Sequence, residues 1–242
     1  MWQALRSELH PKGLEVVTVC LDAAGIDAAR PFVEKAAPQH PSLLDIAHRV
    51  DELFGVVNIP NSVWIDEDGM IVRPAEPAFV QISDLRSRPA SATEVPGRVG
   101  RLLKAASRIK ADPAGYRASL LDWVELGAAS SYALSPEQVV AASLPRSNDE
   151  AAAAAHFELG QHLFAAGDNR GAERHWREAH RLHPANWTYK RQAWSLVDAS
   201  DTPLGRFWQG PIEGREEEWP YDGDWVSDIE AIGPANYYPT AR

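Results

Sequence analysis

The residues Leu14 to Leu21 (LEVVTVCL) constrain the fold more than any other stretch of the chain. The run is apolar almost throughout and rich in β-branched residues. It is too short for most helices and too continuously apolar for a strand with one wet face. A strand of this kind is buried on both faces, as in a parallel sheet covered by helices. The next residues agree with that. Ala28 to Ala37 has helical spacing, with Phe32, Val33 and Ala36 on one side. Asp45 to Phe54 (DIAHRVDELF) predicts a second helix, stopped by Gly55. Ser62 to Asp66 (SVWID) is a further strand, Glu67-Asp68-Gly69 a tight turn, and Met70 to Arg73 the returning strand. Asp-Gly between two such runs is a strong hairpin signal. Helices between strands point to an α/β fold.

The chain has 242 residues and a formal net charge of -10, with no long basic face to offset it. Nucleic acid and anionic membranes are bound through excess positive charge, so neither is expected as the main partner. No apolar run is long enough to span a bilayer. The opening MWQALRSELHPKG has neither a basic nor an apolar targeting region. The single cysteine, Cys20, excludes an internal disulfide, a two-cysteine redox pair and a Cys-rich zinc site in these residues. As written, the chain reads as reduced and cytoplasmic. No Gly-rich phosphate loop or nucleophile elbow is present, and no cofactor is expected.

The stretches GLEVVTVCLD and FGVVNIPNSVWIDEDGMIV resemble the thioredoxin superfamily, nearest its TlpA/ResA-like thiol-disulfide branch. Phe54-Gly55-Val56 and Ile65-Asp66 with Gly69 occupy matching positions, and the resemblance covers roughly residues 2 to 80. It places Pro60 at the family's cis-proline, so that Ile59 and Pro60 would shape the substrate groove. It also implies thiolate attack on a disulfide or peroxide, carried by a Trp-Cys-x-x-Cys turn after the first strand. That strand and turn are missing here, because Trp2-Gln3-Ala4-Leu5-Arg6 matches a segment inside the first helix. In the family fold the missing strand runs between those at 14–21 and 62–66, which should therefore be parallel members of one sheet with a gap or an intruding strand between them. Three explanations stand open: a start codon placed too far downstream, an upstream selenocysteine read as a stop, or a degenerate form with a rearranged sheet. A longer amino terminus would leave room for export or a membrane anchor.

Cys20 is the one thiol on offer as a substitute nucleophile. Late in an apolar strand, it reads first as a small hydrophobe.

After Ala75 the sequence turns loop-like, and residues 81–97 are expected as a linker. Val99 to Ile109 is helical, with Arg98, Arg101, Lys104 and Arg108 on what reads as a solvated face. Ala114 to Leu126 is a further helix, and Ser135-Pro136-Glu137 opens a short one by capping logic. Residues 153–186 resemble a tetratricopeptide repeat through Leu159-Gly160, Leu163, Ala172, Trp176, Ala179 and Pro184, all at the required offsets. That implies an antiparallel helix pair at 153–166 and 169–182, with Trp176 buried between them. Trp187 to Val197 would be a following or capping helix.

His156, His162, His175, His180 and His183 cluster here, with His180 and His183 the tight helical pair; they read as surface and packing residues, not a metal site. The tail, 201–242, is acidic and aromatic, and is expected to wrap back over the helices.

The expected organisation is thus an α/β thioredoxin-like domain at 1–80, incomplete for want of its first strand, then the linker, an all-α tetratricopeptide-like domain at 98–200, and the tail. Two functions follow: a thiol-disulfide redox family protein without catalysis in the chain as given, or a non-catalytic module binding a protein or peptide through its helices.

Overall fold

In the computed structural model, which describes residues 2–81, 95–143, 145–197 and 208–238, the apolar run yields a strand only at its end, β1 (Thr18–Leu21). The fold is mixed α/β, with four short strands and ten α-helices among the described residues. These residues divide into two compact units, one of 2–81 with 111–143 and 145, the other of 95–110, 146–197 and 208–238.

The first unit opens with α1 (Trp2–Leu9), whose Leu5 and Leu9 are buried. A 3-10 turn at His10–Lys12 ends at Gly13, whose φ of 98° is open to glycine at no steric cost. After β1 comes α2 (Ile26–Ala36), and then β2 (Ser42–Asp45), which pairs parallel to β1 with Cys20 opposite Leu44. Thr18 Oγ1 and Ser42 Oγ meet at 2.9 Å across the pair. The helix expected at 45–54 is shorter and later, α3 (Arg49–Phe54). The Asp45 carboxylate explains the delay, because it accepts from the amides of Ala47 (3.1 Å) and Val50 (2.7 Å). A side chain that bonds the following amides caps a helix instead of entering it.

The hairpin forms as expected, with β3 (Asn61–Ile65) and β4 (Ile71–Pro77) antiparallel. Asp66 Oδ1 accepts from the amides of Asp68 and Met70, and Gly69 turns the chain at φ 80°. The sheet expected to hold both β1 and β3 does not form: each pair is a separate two-stranded sheet. No strand among the described residues pairs with both, so nothing joins their backbone ladders.

Two later helices, α5 (Pro113–Leu126) and α6 (Pro136–Ala142), complete this unit. Asp112 caps α5 and Ser135 caps α6, the latter reciprocally with Gln138. The core is Leu5 and Leu9 of α1, Trp64 of β3 and Leu120 of α5. Trp64 stacks on Trp123 with centroids 5.0 Å apart and meets Tyr116 edge-on at 6.2 Å. The Tyr116 hydroxyl donates to Ser62 Oγ (3.0 Å) and accepts from Trp64 Nε1 (3.4 Å). An aromatic cluster with satisfied polar edges therefore ties α5 to β3.

The second unit contains α4 (Gly97–Arg108), α7 (Asn148–Ala165), α8 (Asn169–Leu182), α9 (Trp187–Ser195) and α10 (Trp225–Ile232). Ser147 and Glu150 form a capping box at the start of α7, and the Asp168 side chain caps α8 by accepting from Gly171 N. Three residues separate α7 from α8, so the two fold back antiparallel. In α9 Trp187, Thr188, Tyr189, Lys190, Gln192, Ala193 and Trp194 are all buried, so it is enclosed on every side. The segment 208–238 supplies part of that cover, as the sequence leads one to expect of the tail. Trp219 and Tyr237 meet Trp194 and Trp187, and Tyr221 donates to Ala193 O. The tail calls at 201–207 and 239–242 lie outside the described residues.

Candidate functional site

The strand platform holds the residues that the sequence nominates for redox chemistry. Cys20 is half-buried in the middle of β1. The first helix after it begins only at Ile26, so the thiol is not part of that helix's N-terminal turn, one of the devices that generate a reactive thiolate. Ile59 and Pro60 lie on the other sheet, at the entrance to β3. The Ile59–Pro60 peptide is cis, as the resemblance implies, and Pro60 O accepts from Ala78 N (3.2 Å). Both side chains are exposed, Ile59 at 43%. Beneath them Asn58 is buried, and its Oδ1 accepts from Ile59 N at 2.9 Å. The platform therefore presents an apolar lip anchored by a buried amide, without a thiol from its own sheet.

The residues nominated for the helical repeat divide by burial. Ala172, Ala179 and Trp176 are buried, and Gly160 faces Trp176 so closely that a Cβ there would lie 2.5 Å from two indole atoms. The bare backbone of Gly160 thus forms the socket for Trp176, whose ring also meets Phe164 at 5.6 Å. Leu163 is half-buried and Pro184 is exposed. Leu159 points the other way and is 41% exposed. No second hairpin covers that face among the described residues, and a single helix pair cannot bury both of its sides.

The histidines take surface and packing positions, and two of them meet each other. His180 and His183 do not act as a pair. His180 packs against Trp194 (5.9 Å) and Tyr221 (5.3 Å), while His183 Nε2 stands 3.6 Å from Glu150. His180 is half-buried as a residue, but its Nε2 is sealed and has no hydrogen-bond partner. Burial, reinforced by the nearby Lys190 charge, pushes His180 down to about 3, so the ring is neutral at physiological pH. His156 and His175, nineteen positions apart, do meet across α7 and α8, Nδ1 to Nδ1 at 2.8 Å. Only the helix pairing brings them together. In the first unit His48 Nδ1 lies 2.9 Å from Asp51 Oδ2, with both side chains almost fully buried.

Along the basic row of α4, Arg101, Lys104 and Arg108 are exposed as expected of a solvated face, and Arg98 is the exception. Arg98 is 14% exposed, donates to Asp224 Oδ1 at 2.6 Å and to the Trp208 and Gln209 carbonyls, and lies over the Trp208 ring at 5.3 Å. Arg101 pairs with Glu230 at 2.6 Å. The partners come from a segment more than a hundred residues later, which periodicity cannot see. Burial raises the Asp224 carboxyl, but Arg98 and the amides of Ser227 and Val226 outweigh it and hold the group below its ordinary value.

Among the described residues no group of three His, Cys, Asp or Glu side chains is placed to hold a metal ion, and no helix is long and apolar enough to cross a membrane. Comparison with protein-family models, with curated proteins and with solved structures finds no match for this chain.

Proposed function

We propose that this chain is a thioredoxin-like protein of the thiol-disulfide redox class, and that in the form given it binds without redox turnover of its own. The observation that carries this is the position of Cys20, half-buried mid-strand opposite Leu44, with the next helix in the chain starting only at Ile26. The order of elements supports the lineage: a parallel β1–β2 pair, α3, then a β3–β4 hairpin entered through Ile59 and Pro60. The test is dithiothreitol-driven reduction of a protein disulfide, with native protein and with Cys20→Ser. The expected outcome is a rate equal to background for both. Protein-dependent turnover that disappears in Cys20→Ser would make Cys20 a working nucleophile and overturn the proposal.

A second function, protein binding by the helical unit, is favoured by one specific observation. Leu159 is a large apolar side chain left 41% exposed on the outer side of a hairpin that matches the tetratricopeptide offsets. A photocrosslinker attached at Leu159→Cys, in a Cys20→Ser background, is expected to capture one defined protein. The same probe at the exposed Arg174 should not; equal capture from both positions would refute a docking role for that face.

A further inference from the structure

His156 sits on α7 one turn before Gly160, and His175 on α8 immediately before Trp176. The seating of Trp176 against Gly160 therefore fixes the two helices beside the histidine pair. The rings have centroids 5.1 Å apart, with planes inclined by 29°. With the nitrogens at 2.8 Å, that separation is reached only when the two Nδ1 atoms face each other along the line joining the ring centres. The contact is edge to edge, and face stacking does not describe it. One Nδ1 must carry a hydrogen and the other a lone pair, because two N–H groups cannot meet at this distance.

Neutral imidazole can carry its hydrogen on either nitrogen. When each ring instead carries its hydrogen on Nε2, the two Nδ1 lone pairs face each other between α7 and α8. We propose that His156 and His175 form a two-imidazole site for a divalent first-row transition ion such as Cu2+, Ni2+ or Zn2+, clipping α7 to α8. Imidazole is the nitrogen donor these ions select. A tetrahedral ion with bonds of about 2.1 Å sets its nitrogens about 3.4 Å apart with their lone pairs about 109° to each other, so the rings need to part by roughly half an ångström and each to turn by about 35° from the head-on line. Both side chains are half-buried, so water has access to fill the other positions. No third protein ligand joins them among the described residues. The affinity is accordingly that of a two-point chelate, on the order of 10 μM, and far from that of a structural zinc centre. Binding moves the shared hydrogen from Nδ1 to Nε2 of its own ring, so the neutral pair takes the ion with no net loss of a proton.

The experiment uses the full chain, stripped with chelator and titrated with Cu2+, Ni2+ and Zn2+ by calorimetry. The expected result is one equivalent bound, weakened at least about tenfold by either His156→Gln or His175→Gln and unchanged by His162→Gln. In native protein, sub-stoichiometric Cu2+ should broaden the imidazole resonances of His156 and His175 before those of any other histidine, a readout that needs no variant. Binding unaffected by both substitutions, broadening that begins at another histidine, or no binding up to about 1 mM would each overturn the site.

Discussion

Gly160→Ala separates tertiary packing from local helix preference by the sign of its effect. Glycine inside a helix is less favourable than alanine by about 1 kcal/mol, so propensity alone makes the substitution stabilising. The structure opposes it. The added methyl lies 2.5 Å from Trp176 Cδ1 and Nε1 and 3.0 Å from Cε2, where relaxed carbon contacts need about 3.5 Å or more. Trp176 is 2% exposed and closed in by Phe164, so the indole has little room to retreat. Overpacking costs about 1–3 kcal/mol, and a clash this deep belongs in the upper half of that range. Subtracting the propensity gain leaves a net loss of about 1–2 kcal/mol. Urea unfolding followed by circular dichroism measures it. Trp176→Leu alone should cost about 3 kcal/mol by opening a cavity. Combined with Gly160→Ala it should cost less than the sum of the two, by about 1 kcal/mol or more, because the methyl enters vacated space. A Gly160→Ala variant as stable as the native chain, or more so, would show that Trp176 does not seat against the backbone of α7.

Three further outcomes follow from the geometry. His180, held at about 3 against an ordinary value near 6.5 for the unfolded chain, is neutral in both states above pH 6.5; below that only the unfolded chain takes up its proton, so it subtracts stability at about 1.4 kcal/mol per pH unit as pH falls. Histidine NMR should find its ring not titrating above pH 4, and a midpoint near 6 would refute its burial. Asp224, depressed by Arg98, contributes stability that is present above the unfolded carboxyl value and is lost as pH falls through its folded one; Asp224→Asn should therefore flatten the acid limb of the unfolding profile below about pH 4, and an unchanged limb would refute the Arg98 pairing. Tyr116→Phe should cost about 1–2 kcal/mol by leaving Ser62 Oγ and Trp64 Nε1 without their partner, measured by thermal unfolding, and no loss would mean that the hydroxyl does not bridge them.

What the sequence determined by itself is mostly local. The β-branched run ending at Leu21, the Asp-Gly turn of the hairpin, the caps at Asp112, Ser135 and Asp168, and the register of Gly160 with Trp176 all depend on residues within a few positions of one another, or on fixed helical offsets. Short-range sterics and hydrogen bonds act on those whatever the rest of the chain does. Even there a single side chain shifted a boundary: Asp45, expected to start a helix, ends β2 and caps α3.

Tertiary structure alone decided the rest. Whether β1 and β3 share a sheet depends on a strand that hydrogen-bonds to both, which no pattern within either strand reports. That Arg98 is buried depends on Asp224, and that α5 packs on Trp64 depends on Trp123 and Tyr116 facing β3. The histidine spacing drew attention to His180 and His183, while the rings that meet are His156 and His175, on helices that run in opposite directions. Packing brings such groups together by closing long loops. The cost of that closure grows only slowly with the number of intervening residues, so sequence distance says almost nothing about which pairs will touch.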